Sequence, residues 1–511
     1  MEEKRLLPED REFFALVKRA GHANPFSDER EALDAEIART APAAGKAQRI
    51  EKAISAVQER MDAIAKKAPL DVQEYEPGDR NLLELGLWFL LFYQYRTTID
   101  RMIREQMNAD KKPGLLQPSP EKAPFASEAL AFLSARGVPQ EQARRYFELC
   151  YQFRRAYFFI KDALVGESPC MRKLRYDLWC NVFTQDLDLY GQYLCNRMEE
   201  FSSLFLGETG TGKGAAAAAV GRSGYIPFDA KKGRFIESFS KLFLAVNLSQ
   251  FPETLIESEL FGHRKGAFTG AMENYDGVLS RCSPHGAILL DEIGELSEQL
   301  QIKLLQVFQE RVYFPVGSHK AESFRGRIIA ATNRPLDALR HQGRFRDDFY
   351  YRLCSDVIVV PPLRQRLRED PGELGVLVGF LVKRMLGQPS AEITAMVLRV
   401  IGERLGADYP WYGNVRELEQ CVRRVLLRNT YDGQIERAPG DLGDFLMGLM
   451  RTGDIDAHRL LGGYCKLLHL RYGTYEEVAR RTGLDRRTVA KYVREWDAGV
   501  DDGPAGEGEP A

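Results

Sequence analysis

The chain has 511 residues, too many for one hydrophobic core and enough for three or four domains. A hydrophobic fraction of 44% and a charged fraction of 28% are those of an ordinary soluble globular protein. The formal net charge of −2 excludes a uniformly basic nucleic-acid binder, so any DNA contact must come from a local basic face. The eight cysteines form no CxxC pairs, which points to thiols in a reducing cytoplasm and away from a disulfide framework or zinc site. The opening MEEKRLLPEDREFF lacks the apolar core of a signal peptide. The longest apolar run, Leu85 to Tyr95, is about half of what a bilayer crossing needs and reads as a buried helix. A cytoplasmic location without membrane contact is expected.

Residues 1–164 read as helical. Ile50, Ile54, Val57, Met61 and Ile64 alternate steps of four and three, placing one apolar stripe on a helix from Lys46 to Lys67. A Pro/Lys-rich connection from Asp110 to Pro124 precedes a second helical stretch, Gln140 to Leu164, rich in Tyr and Phe whose clustering suits helix packing. No strand–helix alternation with an acidic pocket occurs here, so a phosphorylatable receiver is not expected. Tyr176 to Glu200 carries apolar residues at near-helical spacing.

The short apolar strand Ser203 to Leu206 runs into Gly207, Glu208, Thr209, Gly210, Thr211, Gly212, Lys213 and Gly214, then into an alanine-rich helix. Glycines let successive N–H groups and the helix N-terminus surround phosphate oxygens, while Lys213 brings a mobile positive charge to the outer phosphates. A general phosphate loop has Ser or Thr after the lysine, where this chain has Gly214. Residues 221–241 read as a basic, solvated surface loop, with an added contact as the alternative. A strand Leu242 to Val246 then ends in Asn247.

Ala287 to Leu290 is an apolar strand ending in Asp291 and Glu292, the Walker B pattern. Asp291 is expected to hold Mg²⁺, and Glu292 to orient and deprotonate the attacking water. The segment Ser297 to Gln309 shows one apolar helical face, and Arg327 to Asn333 reads as another buried strand with a polar end. A last strand, Val357 to Val360, precedes a helical region from Gln365 to Asp432. Beyond a Gly/Asp/Arg-rich connection, Tyr475 to Tyr492 fits helix-turn-helix mechanics: Ala479 is small where helices cross, Gly483 permits the turn and Asp485 can cap the second helix. Arg486, Arg487, Thr488 and Lys491 are then left to meet DNA, and the Gly/Asp/Glu/Pro-rich tail after Asp497 is expected to be disordered.

Gly266, Ala267, Phe268, Thr269, Gly270 and Ala271, preceded by Glu259-Leu260-Phe261-Gly262-His263, resemble the contact loop of the sigma-54-dependent transcriptional activators, AAA+ ATPases also called bacterial enhancer-binding proteins. Gly166 to Met171 with Leu174-Arg175 resembles the entry to that family's ATPase domain, so the resemblance covers about Val165 to Asp432. It implies that Phe268 and Thr269 touch sigma-54 and that Asn247 is the switch holding the catalytic carboxylate. It implies that Thr332 and Asn333 are the first sensor, Arg346 and Arg352 the arginine fingers acting on a neighbouring subunit, and Arg416 the second sensor. Two residues depart from the family pattern: Gly214, where Glu is common, and Tyr412, where Pro is usual.

The resulting expectation is a multidomain chain. It has a helical N-terminal region (1–164) of unknown ligand, an α/β AAA+ ATPase core with a parallel sheet (165–364) and a helical lid (365–435). A linker (436–456), a C-terminal helix-turn-helix (457–498) and a disordered tail (499–511) follow. The expected function is ATP-dependent remodelling of sigma-54 RNA polymerase by a homo-oligomeric ring, a hexamer, bound to double-stranded DNA upstream of promoters, with ATP and Mg²⁺ as cofactors. Alternatives are an AAA+ remodeller of another protein client, or a DNA-binding regulator that senses ATP without efficient turnover.

Overall fold

The computed structural model describes residues 3–40, 45–66, 69–110, 122–162, 164–406, 408–433, 442–453 and 455–499. Two compact units divide the chain, residues 1–429 and 430–511.

The first unit opens with helices α1 (Pro8–His22), α2 (Asp28–Ile37), α3 (Lys46–Ala65), α4 (Pro77–Asp110), α5 (Ala126–Ser134), α6 (Gln140–Asp162) and α7 (Pro169–Phe183). The stripe expected on α3 lands where its spacing puts it, with Val57 and Met61 buried and Ile54 and Ile64 packed beside them. Leu85 to Tyr95 lies inside α4, and among the described residues no helix is long and apolar enough to cross a membrane. Past α7 the chain does not continue as one helix. A single turn α8 (Leu187–Leu189) leads into a π turn, Tyr190–Leu194, and a 3₁₀ turn, Met198–Glu200.

A five-stranded, all-parallel sheet follows, ordered β4-β5-β8-β1-β9, from β1 (Ser203–Leu206), β4 (Phe243–Asn247), β5 (Ala287–Asp291), β8 (Arg327–Thr332) and β9 (Asp356–Val359). Between them lie α9 (Lys213–Gly221), the hairpin β2 (Phe228–Asp229) and β3 (Arg234–Phe235), α10 (Glu253–Phe261) and α11 (Val278–Arg281). Next come α12 (Glu298–Glu310), the hairpin β6 (Val312–Tyr313) and β7 (Glu322–Ser323), α13 (Leu336–His341) and α14 (Asp347–Leu353). Successive strand residues face opposite sides, so Leu289, Ile329 and Phe205 join the core shared with α6, α7 and α9, while Ile288, Ile328 and Leu204 join the core under α12 and α14. Both faces are covered at β1, β5 and β8, which explains why these strands read as continuous apolar runs, whereas Val357 and Val359 of the edge strand β9 are exposed. The lid comprises α15 (Leu363–Glu369), α16 (Glu373–Leu386), α17 (Ala391–Arg404) and α18 (Asn414–Arg428).

One apolar core runs from Leu6 to Val360, crossing the boundary expected near Val165. Its seam corrects the reading of residues 221–241 as a solvated loop. Phe228, Phe235 and Phe239 are buried, with Phe235 stacked on Tyr151 at 3.9 Å and Phe228 edge-on to Phe147 at 4.9 Å, both rings from α6. The turn that carries Lys231 and Lys232 is exposed, as is Ile236 just past β3. The lysines dominated the composition, but the aromatic residues decide the packing, because each buries far more apolar area than a solvated lysine removes.

The second unit contains α19 (Leu442–Thr452), α20 (Ala457–Tyr472), α21 (Tyr475–Thr482) and α22 (Arg486–Gly499). The linker expected over 436–456 therefore carries a helix. Leu442, Leu446 and Leu449 share a face at spacings of four and three, and Leu446 is buried against Gly463 of α20. The expected connection from Asp110 to Pro124 and the expected tail fall largely or wholly outside the described residues.

Candidate functional site

The site is built at the carboxyl ends of β1, β5 and β8, where apolar strands give way to polar residues. Gly207, Gly210 and Gly212 have φ of 155°, 82° and 105°, conformations that let the chain curl after β1 and enter α9 at Lys213. Gly210 is also a close approach: a Cβ there would meet the Gly413 carbonyl oxygen at 2.3 Å. Lys213 is largely buried, its Nζ donating to the carbonyls of Gly207 at 2.8 Å and Glu208 at 3.1 Å. Burial pulls its pKa below the ordinary lysine value, while Glu292 and Asp291 act in the opposite direction. The ammonium group therefore sits in the field of both Walker B carboxylates. Thr211 is buried and its hydroxyl donates to Glu208 O at 2.9 Å, closing the loop on itself. Gly214 has nothing within 4 Å of a built Cβ, so close packing does not account for the glycine.

Asp291 ends β5 in register with Asn247 of β4 and Ala331 of β8. Glu292 follows with φ of 58°, a left-handed conformation that is costly for a non-glycine residue and turns the chain sharply off the strand. The Asn333 N–H donates to Glu292 Oε2 at 3.4 Å, and Asn333 Nδ2 donates to Thr209 Oγ1 at 2.8 Å. Asn333 thus bridges the Walker B glutamate and the phosphate loop. Thr332 is fully buried and its hydroxyl accepts from the Arg334 N–H at 3.1 Å, shaping the turn that presents Asn333. Asn247 ends β4 beside Asp291. Its Oδ1 accepts from the N–H and hydroxyl of Ser249 at 3.0 and 2.7 Å, capping a local turn, and the bond to Glu292 comes from Asn333.

The lid closes on the phosphate loop through residues the sequence did not single out as partners. Glu208 accepts from both terminal nitrogens of Arg364, one at 2.7 Å, and from Asn414 Nδ2 at 3.1 Å. Asn414 also donates to Thr209 O at 3.1 Å and accepts from the Leu363 N–H at 2.7 Å, and the Val415 N–H reaches Gly210 O at 3.1 Å. This brings Arg416 beside Gly210, with its Cβ 2.9 Å from the position a Gly210 Cβ would take. Tyr412 is exposed, and the turn it occupies is held by Glu417, which accepts from the Gly413 N–H at 2.8 Å. Arg364 is 156 residues from Glu208, a separation no motif spacing encodes.

Arg346 and Arg352 lie on and before α14 and do not join this cluster. Arg346 grips Asp348 through two bonds of 3.0 and 2.9 Å and reaches Glu298 at 3.0 Å, while Arg352 donates to Phe308 O at 2.9 and 3.1 Å.

The stretch 266–271 forms an exposed loop. Gly266 and Gly270 have φ of 82° and 98°, the Gly266 N–H closes on Ala271 O at 2.9 Å and the Ala271 N–H on Phe268 O at 3.0 Å. Phe268 is 41% exposed, with its ring edge-on to His263 at 4.9 Å, and Thr269 is exposed beside it. The base is stitched to Tyr275 by paired backbone bonds of 3.0 and 2.9 Å from His263, and to Val316 between β6 and β7 through Gly262 and Arg264. Ala267 packs so closely on Gly317 that a Cβ there would sit 2.7 Å away. The sequence did not expose this second support, since Val316 and Gly317 carry no motif.

In the second unit, Asp485 Oδ1 caps α22 by accepting from the N–H groups of Arg487 and Thr488 at 2.9 and 3.0 Å, and Gly483 has φ of 73° at the turn. Val478, Val489 and Val493 are buried with Cys465 and Leu468. Arg487 and Lys491 are exposed, Arg486 pairs with Glu476 at 2.9 Å, and the Thr488 hydroxyl is bonded to Asp485. All eight cysteines are free, and among the described residues no group of three His, Cys, Asp or Glu side chains is arranged to hold a metal.

Residues 191–359 match the sigma-54 interaction domain family. Transcriptional regulatory protein GlrR of Escherichia coli (strain K12) is 32% identical over 346 residues, 67% of this chain and 70% of that protein. The chain belongs to the sigma-54-dependent transcriptional activators. Transcriptional regulatory protein ZraR of the same organism is 35% identical over 334 residues, covering 64% of this activator and 67% of its own length. The Nif-specific regulatory protein of Azotobacter vinelandii is 37% identical over 300 residues, 58% of this activator and 50% of that protein. The chain spans about half the length of the first curated relatives it matches. The crystal structure of NtrX from Brucella abortus aligns with 73% of this chain and 80% of its own at 20% identity, with a TM-score of 0.38. The phosphate loop, the Walker B carboxylates, Asn333 and the loop 266–271 all lie within the matched family segment, whereas Arg364, Asn414 and Arg416 lie beyond it.

Proposed function

We propose that this activator hydrolyses ATP as a ring, grips sigma-54 with the loop 266–271 and remodels the polymerase at promoters from DNA held by α21 and α22. The observation that carries the reading is an exposed loop tip bearing Phe268 and Thr269, braced on the same α/β unit as a formed phosphate loop.

ATP suits the residues present. The positive-φ glycines open a cradle of backbone N–H groups at the start of α9, and the Lys213 ammonium can exchange its two loop carbonyls for phosphate oxygens. Asp291, at the end of an apolar strand, is the residue to hold Mg²⁺, which supplies charge neutralisation for the transferring phosphoryl group. Glu292 accepts the proton of the attacking water and is oriented by the Asn333 N–H. Arg346 and Arg352 lie outside their own subunit's cluster and suit delivery to a neighbour's nucleotide, which makes hydrolysis depend on ring assembly. Arg416 and the lid report nucleotide state through the contacts of Glu208 and Asn414. Arg487, exposed on α22, is placed to meet DNA, whereas Lys491 must leave Glu495 at 3.7 Å and Thr488 must leave Asp485 to do so.

The test is binding of purified sigma-54 in the presence of an ATP transition-state mimic, with Lys213→Ala and Glu292→Gln as controls. Lys213→Ala is expected to lose nucleotide and sigma-54 together, and Glu292→Gln to bind ATP without cleaving it. Intact hydrolysis with no sigma-54 complex overturns the reading in favour of another protein client. Gly214 favours a second reading, a regulator that senses ATP without turning it over. Absence of phosphate release from the concentrated, DNA-bound protein would establish it.

A further inference from the structure

A cleft of about 530 Å³ opens where α1, α4 and α6 meet the segment 187–192, far in role from the phosphate loop. Its floor is apolar, formed by Leu85 and Trp88 of α4 and by Tyr146, Leu149 and Phe153 of α6, all buried. Its rim carries the cationic side chains Lys18 and Arg145 and the imidazole of His22, against one carboxylate, Asp188. Lys18 neutralises that carboxylate at 3.1 Å and is held by Asn81 at 3.2 Å. Arg145 pairs with no carboxylate among the described residues: its hydrogen bond goes to Cys195 Sγ at 3.5 Å, a weak acceptor for a guanidinium. An apolar floor with a planar cation at its edge that makes no direct ion pair among the described residues is complementary to a molecule with a hydrocarbon body and a carboxylate head.

The far wall of the cleft is the π turn, where the Cys195 N–H reaches Tyr190 O at 3.0 Å. Such insertions recur at functional places in helices. Gly191 and Gln192 of this turn face the cleft. Tyr190 is buried, receives Gln152 Nε2 at 2.7 Å and lines a second cavity of about 470 Å³, together with the end of α9 and the starts of β5 and β8. The opposite ends of those three elements carry Lys213, Asp291 and Thr332. The π turn therefore stands between the cleft and the motor.

We propose that this cleft binds a small organic acid, its hydrocarbon part over Trp88 and Phe153 and its carboxylate on Arg145, and that the π turn passes its occupancy to the ATPase sheet. The binding half does not rest on the sigma-54 reading, because it is measured without nucleotide or sigma factor.

The experiment titrates the full chain with sodium octanoate and sodium 4-phenylbutyrate, and with 1-octanol and 4-phenylbutanol, by calorimetry and tryptophan emission. At least one acid is expected to bind saturably with Kd below about 1 mM, and its alcohol to bind at least about tenfold more weakly. Arg145→Gln is expected to lose about tenfold in affinity for the acid, with Arg145→Lys retaining most of it. The emission change is expected to vanish in Trp88→Phe, which locates the site. Saturating acid is then expected to change phosphate release by the wild-type ring. No saturable binding of either acid up to about 10 mM overturns the site, as does equal affinity for the alcohols or for Arg145→Gln. Binding with unchanged phosphate release overturns the coupling and leaves the site standing.

Discussion

Arg364 of α15 and Glu208 of the phosphate loop join the lid to that loop by a two-pronged ion pair, and Asn414 of α18 binds the same carboxylate. The Arg364 bond is the main cause that holds the Glu208 pKa below the ordinary glutamate value. A depressed carboxylate pKa contributes stability above the unfolded value of about 4.3, and that stability is lost as pH falls through the lower folded value. Both side chains are roughly two-fifths exposed, which limits the pair to about 0.5–1 kcal/mol. Glu208→Gln is therefore expected to lower stability at neutral pH by that amount, with the difference from wild type closing on acidification below about pH 4. Denaturant melts at a series of pH values check this, and a constant difference across the series contradicts it.

Arg346 forms ion pairs with Asp348 and Glu298 within its own subunit, whereas the proposed finger role needs it to face a neighbour's phosphate. Arg346→Ala is expected to leave ATP affinity nearly unchanged and to lower phosphate release at least about a hundredfold. Mixing it with Lys213→Ala subunits is expected to restore some hydrolysis, because each supplies what the other lacks. Restoration that never appears across mixing ratios assigns Arg346 to folding alone.

Thr269 lies on the exposed loop tip, whereas the bonds that close the loop are backbone bonds of Gly266 and Ala271. Thr269→Ala is expected to preserve hydrolysis and assembly. If the loop tip meets sigma-54 as proposed, the change removes one interface hydrogen bond worth about 0.5–1.5 kcal/mol. Promoter opening and phosphate release measured on one sample separate the two effects; wild-type opening, or a joint fall in both, contradicts the assignment.

Phe235 is fully buried between the N-terminal helices and the ATPase core, stacked on Tyr151. Phe235→Ala is expected to cost about 3–5 kcal/mol through the cavity it leaves. Thermal unfolding is the check, with a split into two transitions expected if the seam gives way before either side melts.

Gly214 sits in the first turn of α9 with open space around it and no positive φ. Gly214→Ala is expected to raise stability by about 0.5–1 kcal/mol, since alanine has less backbone freedom to lose. A loss of stability instead points to a backbone demand at that position.

The sequence by itself determined the elements whose signals are local. Strand ends at Leu206, Asp291 and Thr332, the glycine loop before Lys213 and the cap at Asp485 all follow from hydrophobic runs interrupted by residues of special conformation or charge. Those interruptions lie within a few positions of each other, so one short window contains the cause and the effect. Tertiary structure alone decided which distant groups meet. Glu208 finds Arg364 and Asn414, Glu292 takes its bond from Asn333 while Asn247 caps its own turn, and Phe228 and Phe235 bury what the neighbouring lysines advertised as surface. The reason is that a hydrogen bond or an aromatic stack is satisfied by proximity in space, and proximity across 40 to 200 residues is set by how the sheet orders its strands and by which face each helix buries.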